Sequence, residues 1–397
     1  MNCKNKKMKA LISCDEYIYS YNGNYYVREF GKVLFNRYLN VFETVRLVLR
    51  TKIVASPEEL STFNILLDNS RIEVIEIPFF QGPKEYAKKY FSVQRVIKSS
   101  YRDCDIAILR LPSTIGFKCL KYLKNKIPYA VEIVANPIEL SNNTDNLLHK
   151  FLFKKMHNQQ VIACKDAIGA SYVTKSTLQK IYPNNKINSY YSSIELPESF
   201  FVNERKIINK DKYILCHSAL HINSDLKGHD TVIRVVEYIT KKGYNVECRF
   251  AGHGVFVNKF KLLAESLGVL EKIKFAGLLN QQQLFDFYKE SDIMVYPSSS
   301  EGLPRVMIEA LATGLPCIAS PVGGIPELID KDLLFDKNDI SGFGDKIIEM
   351  ISNIDFYKKC NNEAFEKSLE YSKEKLTQKR SNFYSKLKEK VNANNTK

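Results

Sequence analysis

No stretch of this sequence approaches the roughly 18 consecutive apolar residues of a membrane-spanning helix. The opening MNCKNKKMKALISC carries charge but only a stub of apolar sequence before Asp15, which excludes a signal peptide. Cysteines are present, nine of them, but no two lie at metal-ligand spacing. Their odd number, with several inside apolar runs, points to free thiols in a reducing cytosol. The sequons at Asn142 and Asn394 then carry no meaning. Acid is in short supply: 44 Asp and Glu face 58 Lys and Arg, a formal net charge of +14. The balance calls for an anionic partner, and its sign alone does not separate a nucleotide, an anionic bilayer and a nucleic acid. No nucleic-acid module is visible, and the basic residues are scattered along the chain rather than massed on one helix, so a nucleic-acid partner is not expected. No internal repeat is present.

What is there suffices for two α/β domains: 397 residues, 45% of them hydrophobic. The most informative stretch is Ser291 to Leu328, SDIMVYPSSSEGLPRVMIEALATGLPCIASPVGGIPEL. Asp292 to Pro297 has the apolar character of a short strand. Pro304 suits the first residue of a helix that carries Val306, Met307, Ile308, Ala310 and Leu311. Gly314 can end it in a left-handed cap, and Pro316 blocks its continuation. CIAS reads as a second strand, PVGG as a turn and Ile325-Pro326-Glu327 as another helix start. The whole is one strand–loop–helix–strand unit of a parallel sheet, and open α/β sheets bind ligands at the loop that follows such a strand. Glu301 lies in that loop. Glu309 lies about one and a half turns into the helix, roughly 8 Å along its axis from Pro304. Between them the helix N-terminus offers unpaired N–H groups and the positive end of a dipole, a seat for a diphosphate. Polyols on either side of a diphosphate describe a nucleotide-sugar.

The Glu-x7-Glu pattern, embedded in EGLPRVMIEALATGLPCIASPVGGIPEL, resembles the retaining glycosyltransferases of family 4. The resemblance implies an α/β protein of GT-B fold, with two Rossmann-like domains facing each other across a cleft. It places an acceptor-binding domain at 1–200, a nucleotide-sugar-binding domain at 201–365 and a helical segment at 366–390 that crosses back to the first domain. It gives Glu301 contact with the transferred sugar and Glu309 contact with the ribose, with Gly302, Leu303, Pro304 and Arg305 lining the donor site between them.

Along the chain, KALIS (9–13) reads as the first strand and CDEYIYSYNGN as a polar turn. Val27 to Leu49 has apolar residues at helical spacing. The resemblance puts the first strand–helix loop on the acceptor side, making Gly23, Asn24 and Arg28 acceptor-side candidates. TKIVAS (51–56), IEVIEIP (72–78), CDIAILRL (104–111) and YAVEIV (129–134) read as strands. Phe79, Phe80, Tyr86, Tyr90 and Phe91 with Lys84, Lys88 and Lys89 form an aromatic and basic patch, suited either to plain packing or to an anionic membrane surface. His149 and His157 read as surface residues. SYVTKSTLQKIYP (171–183) reads as the last strand and helix of the first domain, with Thr174 as cap. The polar stretch 192–212 marks the boundary. YILCHSAL, VECRFAGHG and KIKFAGLL then read as strands, Val232 to Ile239 and Gln282 to Glu290 as helices, and another helix begins near Ile340 before a charged helical tail over about 356–390.

Against the family's pattern, LKGHD supplies Lys227 as a diphosphate ligand, while Ala219 stands where an Arg is expected; His221 and Arg305 are candidates to supply the lost charge. Gly252-His253-Gly254 resembles a glycine turn near the nucleotide. A His expected after YAVEIV is replaced by Val134-Ala135-Asn136-Pro137, and Glu132 reads as a strand residue rather than a nucleophile. Asp-x-Asp occurs at Asp103-Cys104-Asp105 and Asp330-Lys331-Asp332, both read as structural, so no metal and no cofactor are expected. The implied reaction moves a sugar from a nucleotide diphosphate-sugar to a hydroxyl of a glycan or lipid-linked glycan, with Glu301 and Lys227 as the catalytic pair. It is expected to serve cell-envelope or capsular polysaccharide synthesis in the cytoplasm or on the inner face of the membrane. The alternatives are a degenerate GT-B protein that binds without transfer, and a GT-B epimerase or hydrolase.

Overall fold

The computed structural model describes residues 7–60, 64–67, 70–203, 205 and 210–395. Cys3, Thr396 of the second sequon and residues 204 and 206–209 of the boundary stretch lie outside them. The chain divides into two compact units. The first comprises Met1–Pro137, Phe151–Tyr191 and Thr377–Lys397; the second comprises Ile138–Lys150 and Ser192–Leu376. The sequence places all of 1–200 in the first domain, whereas a segment of that stretch, 138–150, belongs to the second unit. Residues 192–203 already pack there too: Phe200 stacks on Phe285 with ring centroids 4.2 Å apart, and Val202 N–H donates to the Ala312 carbonyl at 2.9 Å.

The N-terminal half runs β1 (Lys9–Tyr21), β2 (Asn24–Arg28), α1 (Glu29–Tyr38), β3 (Thr44–Ile53), β4 (Asn64–Leu66), β5 (Ile72–Pro78), α2 (Gly82–Ile97), β6 (Ile106–Leu111), α3 (Thr114–Leu123), β7 (Tyr129–Ile133), α4 (Pro137–Asn142), α5 (Leu147–Asp166), β8 (Gly169–Tyr172), α6 (Thr177–Ile181) and β9 (Ile187–Tyr190). The parallel strands lie in the order β5-β3-β1-β6-β7-β8-β9, with β2 antiparallel on the far part of β1 and β4 antiparallel on β2. Strand order reverses between β1 and β6, as in a Rossmann sheet.

Three expectations are corrected in this half. The stretch after KALIS is not a turn: after an irregularity between Ser13 and Tyr17, β1 continues beside β3 to Tyr21. Alternating Tyr17, Tyr19 and Tyr21 suit an extended strand, which aromatic residues favour. The turn shrinks to Asn22-Gly23, both at positive φ (47° and 75°), which joins β1 to β2 as a two-residue hairpin. Val27 to Leu49 is not one helix. The helix stops at Tyr38, and Val45, Leu47, Val48 and Leu49 are buried in β3, where a two-sided apolar strand mimics helical spacing. The α6 helix is followed by a further strand, β9, which pairs with β8 along its whole length. Thr174 Oγ1 accepts the Leu178 N–H at 3.0 Å, although the helix itself starts after Ser176.

The C-terminal half runs β10 (Tyr213–His221), α7 (His229–Lys241), β11 (Val246–His253), α8 (Val257–Ser266), β12 (Ile273–Gly277), α9 (Gln281–Lys289), β13 (Ile293–Tyr296), α10 (Arg305–Ala312), β14 (Cys317–Ala319), α11 (Ile340–Ser352), α12 (Ile354–Ser368) and α13 (Lys373–Asn395). Its sheet is parallel in the order β12-β11-β10-β13-β14, so the reversal falls between β10 and β13. The amphipathic α7 buries Val232, Val235, Val236 and Ile239 against Phe250, Ile293 and Val295 in the core of this unit. Pro304 is the N-cap of α10 rather than its first residue, and Gly314 follows the helix at φ 64°.

In the first unit, Glu132 of β7 is a buried structural carboxylate. It accepts from Arg110 Nη1 and from the hydroxyls of Tyr38, Tyr191 and Tyr384 at 2.5–3.0 Å. Tyr384 comes from α13, whose residues from Thr377 onward belong to this unit. His157 is half-buried, with Nδ1 2.8 Å from the Tyr182 hydroxyl, and is not a plain surface residue.

Candidate active site

In the second unit the strand order reverses between β10 and β13, and the loops that follow these two strands meet there. Lys227 comes from the first loop and Glu301 from the second. Their side chains form an ion pair through Lys227 Nζ and Glu301 Oε1. The same oxygen accepts from the Tyr296 hydroxyl at 2.7 Å and from Ser298 Oγ at 2.8 Å. The Glu301 side chain is 9% exposed and that of Lys227 32%. Glu301 Oε1 is thus satisfied by protein donors rather than by water. Tyr296 stays a phenol, since burial and the Glu301 charge push its hydroxyl well above the usual range.

The loop carrying Glu301 is clamped by the PVGG turn. Gly324 N–H donates to the Gly302 carbonyl at 2.6 Å, and Gly323, at φ 53°, lies so close that a Cβ there would run into the Glu301 carbonyl oxygen. The two glycine-bearing motifs of this stretch thus form one structural element. Gly302 is half-buried, Leu303 and Pro304 are buried, and Arg305 is exposed at the start of α10.

Glu309 sits elsewhere on α10. With Tyr288, Phe285, Leu284, Gln281 and Phe200 it lines a small cavity beside α9. Its Oε2 is enclosed without a hydrogen-bond partner among the described residues, and burial, against the opposing pull of Arg305 and Tyr288, raises its pKa. Tyr296 links the two carboxylates electrostatically, for its hydroxyl feels both Glu301 and Glu309.

His221 and His253 end the neighbouring strands β10 and β11, both exposed, with ring centroids 5.7 Å apart. Between their strands Gly252 and Gly254 have a reason internal to the chain. A Cβ on Gly252 would strike the Ala219 carbonyl, and one on Gly254 would strike the Ile222 carbonyl and the Asn223 side chain. Ala219, where an Arg is expected, is buried at this contact. Gly23 and Asn24 lie exposed at the β1–β2 hairpin rather than in a strand–helix loop, and Arg28 is the exposed residue before α1.

Three residues at the Glu301 loop went unsingled in the sequence. Glu139 Oε2 accepts the Glu301 backbone N–H at 3.2 Å, Asn143 Nδ2 donates to the Ser299 carbonyl at 3.0 Å, and Lys337 Nζ donates to Ser299 Oγ at 2.8 Å. Nothing in the spacing of these residues announces them, because they arrive from distant parts of the chain. Asp105 Oδ2 accepts the Lys9 N–H at 2.8 Å, and Asp330 caps a short helical turn through Asp332 N–H at 3.0 Å, both structural uses. Among the described residues no helix is long and apolar enough to cross a membrane.

Two Rossmann-like units, the second with an acid–lysine pair at its switch point, define a protein of GT-B architecture. Solved structures of that class share the fold. Sucrose-phosphate synthase from Thermosynechococcus elongatus superposes with a TM-score of 0.70 at 12% identity, over 96% of this chain and 99% of that one. Anabaena HepE, solved with UDP and glucose, gives 0.65 at 13% identity, over 96% and 100%. Protein CapJ of Staphylococcus aureus is 30% identical over 337 residues, 84% of each chain. Residues 199–367 match the family described as glycosyl transferases group 1. The chain belongs to that family.

Proposed function

We propose that the protein transfers a sugar, with retention of anomeric configuration, from a nucleotide diphosphate-sugar to a hydroxyl of a glycan or lipid-linked glycan. The observation that carries this reading is the Lys227–Glu301 pair at the switch point of the second sheet. In the reaction the sugar–phosphate bond breaks and negative charge grows on the leaving diphosphate. Lys227 turns from Glu301 to meet that charge, together with the N–H groups at the start of α10. Glu301 keeps Tyr296 and Ser298 as donors when Lys227 leaves, so its carboxylate remains oriented toward the sugar hydroxyls. Glu309, in its cavity beside Tyr288, takes the ribose hydroxyls. His221 and His253 flank the donor on the β10–β11 side, with the Gly252–Gly254 backbone beneath it. The incoming hydroxyl attacks the face the diphosphate leaves, which takes its proton; no metal is assigned a step. Gly23, Asn24 and Arg28 serve the acceptor.

Cell-envelope or capsular polysaccharide synthesis suits this chemistry. An anionic inner membrane surface suits the α2 face, where Phe91 is 82% exposed and Lys118 lies 5.4 Å from the Tyr90 ring centroid. The test is a screen of uridine-, guanosine- and adenosine-diphosphate sugars for acceptor-dependent nucleotide release, beside Glu301→Gln and Lys227→Ala. Release from one donor, lost in both variants, is expected. Donor binding without turnover across a broad acceptor set would point to a degenerate member, turnover of donor without any acceptor to an epimerase or hydrolase, and absence of binding would overturn the reading.

A further inference from the structure

Basic residues scattered along the sequence gather on one side of the first unit. Helices α2, α3 and the stretch 151–166 of α5 pack into one core with the first sheet. Within those spans α2 has four basic residues and one acid, α3 two and none, and α5 three and one. Both acids are engaged: Glu85 accepts the Gln81 N–H at 2.7 Å, and Asp166 the Lys124 ammonium at 2.7 Å. The layer therefore carries a large surplus of positive charge.

The three helices meet at Lys118. Its ammonium lies 5.9 Å from the Tyr86 ring centroid and 5.4 Å from that of Tyr90, both on α2. Burial, then the charges of Lys121 and of Lys155 on α5, hold its pKa below the ordinary lysine value. Among the described residues none of these three lysines forms an ion pair. Like charges brought together in this way repel, and a phosphate group between them would relieve the repulsion.

Apolar side chains stand in water around this seat. Lys84, Lys88, Phe91 and Arg95 recur at helical spacing along one exposed side of α2, and Phe91 is 82% exposed. Phe151, Lys154, Lys155 and Ile162 do the same on α5, with Phe151 63% and Ile162 56% exposed. Cations interleaved with exposed apolar side chains match a surface with phosphates outside and hydrocarbon beneath. A single-stranded nucleic acid would meet the cations and stack on the rings, but it offers an aliphatic side chain such as Ile162 nothing.

We propose that this three-helix layer docks on an anionic phospholipid bilayer, with a lipid phosphate seated at Lys118 where α2, α3 and α5 meet and Phe91 entering the boundary between headgroups and acyl chains. The proposal rests on the reading of a lipid-linked acceptor above. It widens the contact from the α2 face to three helices and puts a polar seat at its centre.

The experiment floats the full-length protein with vesicles of phosphatidylcholine alone and of equal parts phosphatidylcholine and phosphatidylglycerol. Binding is expected only to the second kind and should weaken as salt rises. Lys118→Ala should lower that binding by at least about 5-fold, the effect of one lysine near an anionic surface. Lys118→Arg should keep it, and so should Lys261→Ala, which removes an exposed lysine of the second unit. Phe91→Ser, at a position too exposed to disturb folding, should lower it by about 10-fold or more. Equal binding to both kinds of vesicle, binding to neither, the same loss in Lys118→Ala as in Lys261→Ala, or tighter binding to an oligothymidylate than to the acidic vesicles would each overturn the proposal. Donor turnover is measured separately, on a soluble acceptor without vesicles. A protein that docks but transfers nothing overturns the donor reading alone, and one that transfers but does not dock overturns this proposal alone.

Discussion

Gly323 lies against the carbonyl oxygen of Glu301 so closely that no side chain fits between them. This contact ties the PVGG turn to the loop before α10, and it makes the position of the proposed catalytic acid depend on a residue far along the sequence. Gly323→Ala should therefore act on Glu301. It combines left-handed strain at φ 53° with a collision against backbone, which cannot swing aside. We expect a loss of about 2 kcal/mol or more in stability and a larger fractional loss of turnover. Gly243→Ala is the control, since its φ is also positive, at 90°, but a Cβ there meets open space. It should lose only about 1 kcal/mol in denaturant melts and retain activity.

Glu132 anchors the first unit from the inside. Its partners are Arg110 and three tyrosine hydroxyls, one of them Tyr384 of α13. Glu132→Ala would leave the Arg110 guanidinium buried without its counter-charge, a loss of about 3–5 kcal/mol. Tyr384→Phe removes one hydrogen bond among four and should lower stability by about 1 kcal/mol. Urea midpoints of the two variants test the ranking; equal losses would contradict the account.

Acid should destabilise the protein. Burial, which outweighs a bond to the Val295 carbonyl, holds His217 down to about 4 from an ordinary 6.5. Burial, with the charges of His217 and Lys227 adding to it, holds His229 to about 2. The unfolded chain takes up these protons near 6.5 and the folded chain does not, so stability is whole above that pH and falls as pH drops toward 4. For His217 alone the loss approaches roughly 3 kcal/mol. Glu132 acts in the same sense: its pKa is lowered, since Arg110 and the tyrosine donors prevail over burial, and its contribution is lost as pH falls through that folded value. Urea midpoints measured from about pH 7 to pH 4.5 should decline steadily.

His229 itself offers a sharper form of that test. Among the described residues neither ring nitrogen has a hydrogen-bond partner, and the ring stacks on Phe260 at 5.0 Å and meets Phe250 at 5.3 Å. His229→Phe should keep the packing and remove two unsatisfied polar atoms. A gain of about 1–3 kcal/mol is expected near neutral pH, growing in acid. A variant less stable than wild type at about pH 5 would show that the imidazole has a partner in solution.

The second sheet was legible in the sequence because its strands are short apolar runs punctuated by Gly and Pro at the turns, from YILCHSAL to CIAS. Glu301 and Lys227 could each be picked out from their own loops, but that they pair could not, since 74 residues separate them. The first sheet was less legible where apolar residues fall on both faces of a strand. There the run from Val41 to Leu49 satisfies a helical spacing as well as a buried strand. The Tyr-rich end of β1 looked polar and turned out to be strand, because its cross-strand partners lie in β2 and β3. Glu139 was invisible for a different reason: its importance depends on where segment 138–150 folds, and no local pattern encodes that.

The central claim is that Lys227 and Glu301 act on a nucleotide-sugar as one unit. Its most direct test is a double-mutant cycle in kcat/KM for the donor found by the screen, with Glu301→Gln, Lys227→Ala and the pair combined. The account predicts that each single change loses at least about 100-fold and that the double variant loses little more than either alone. Near-normal turnover in either single variant, with binding of the donor intact, would contradict it.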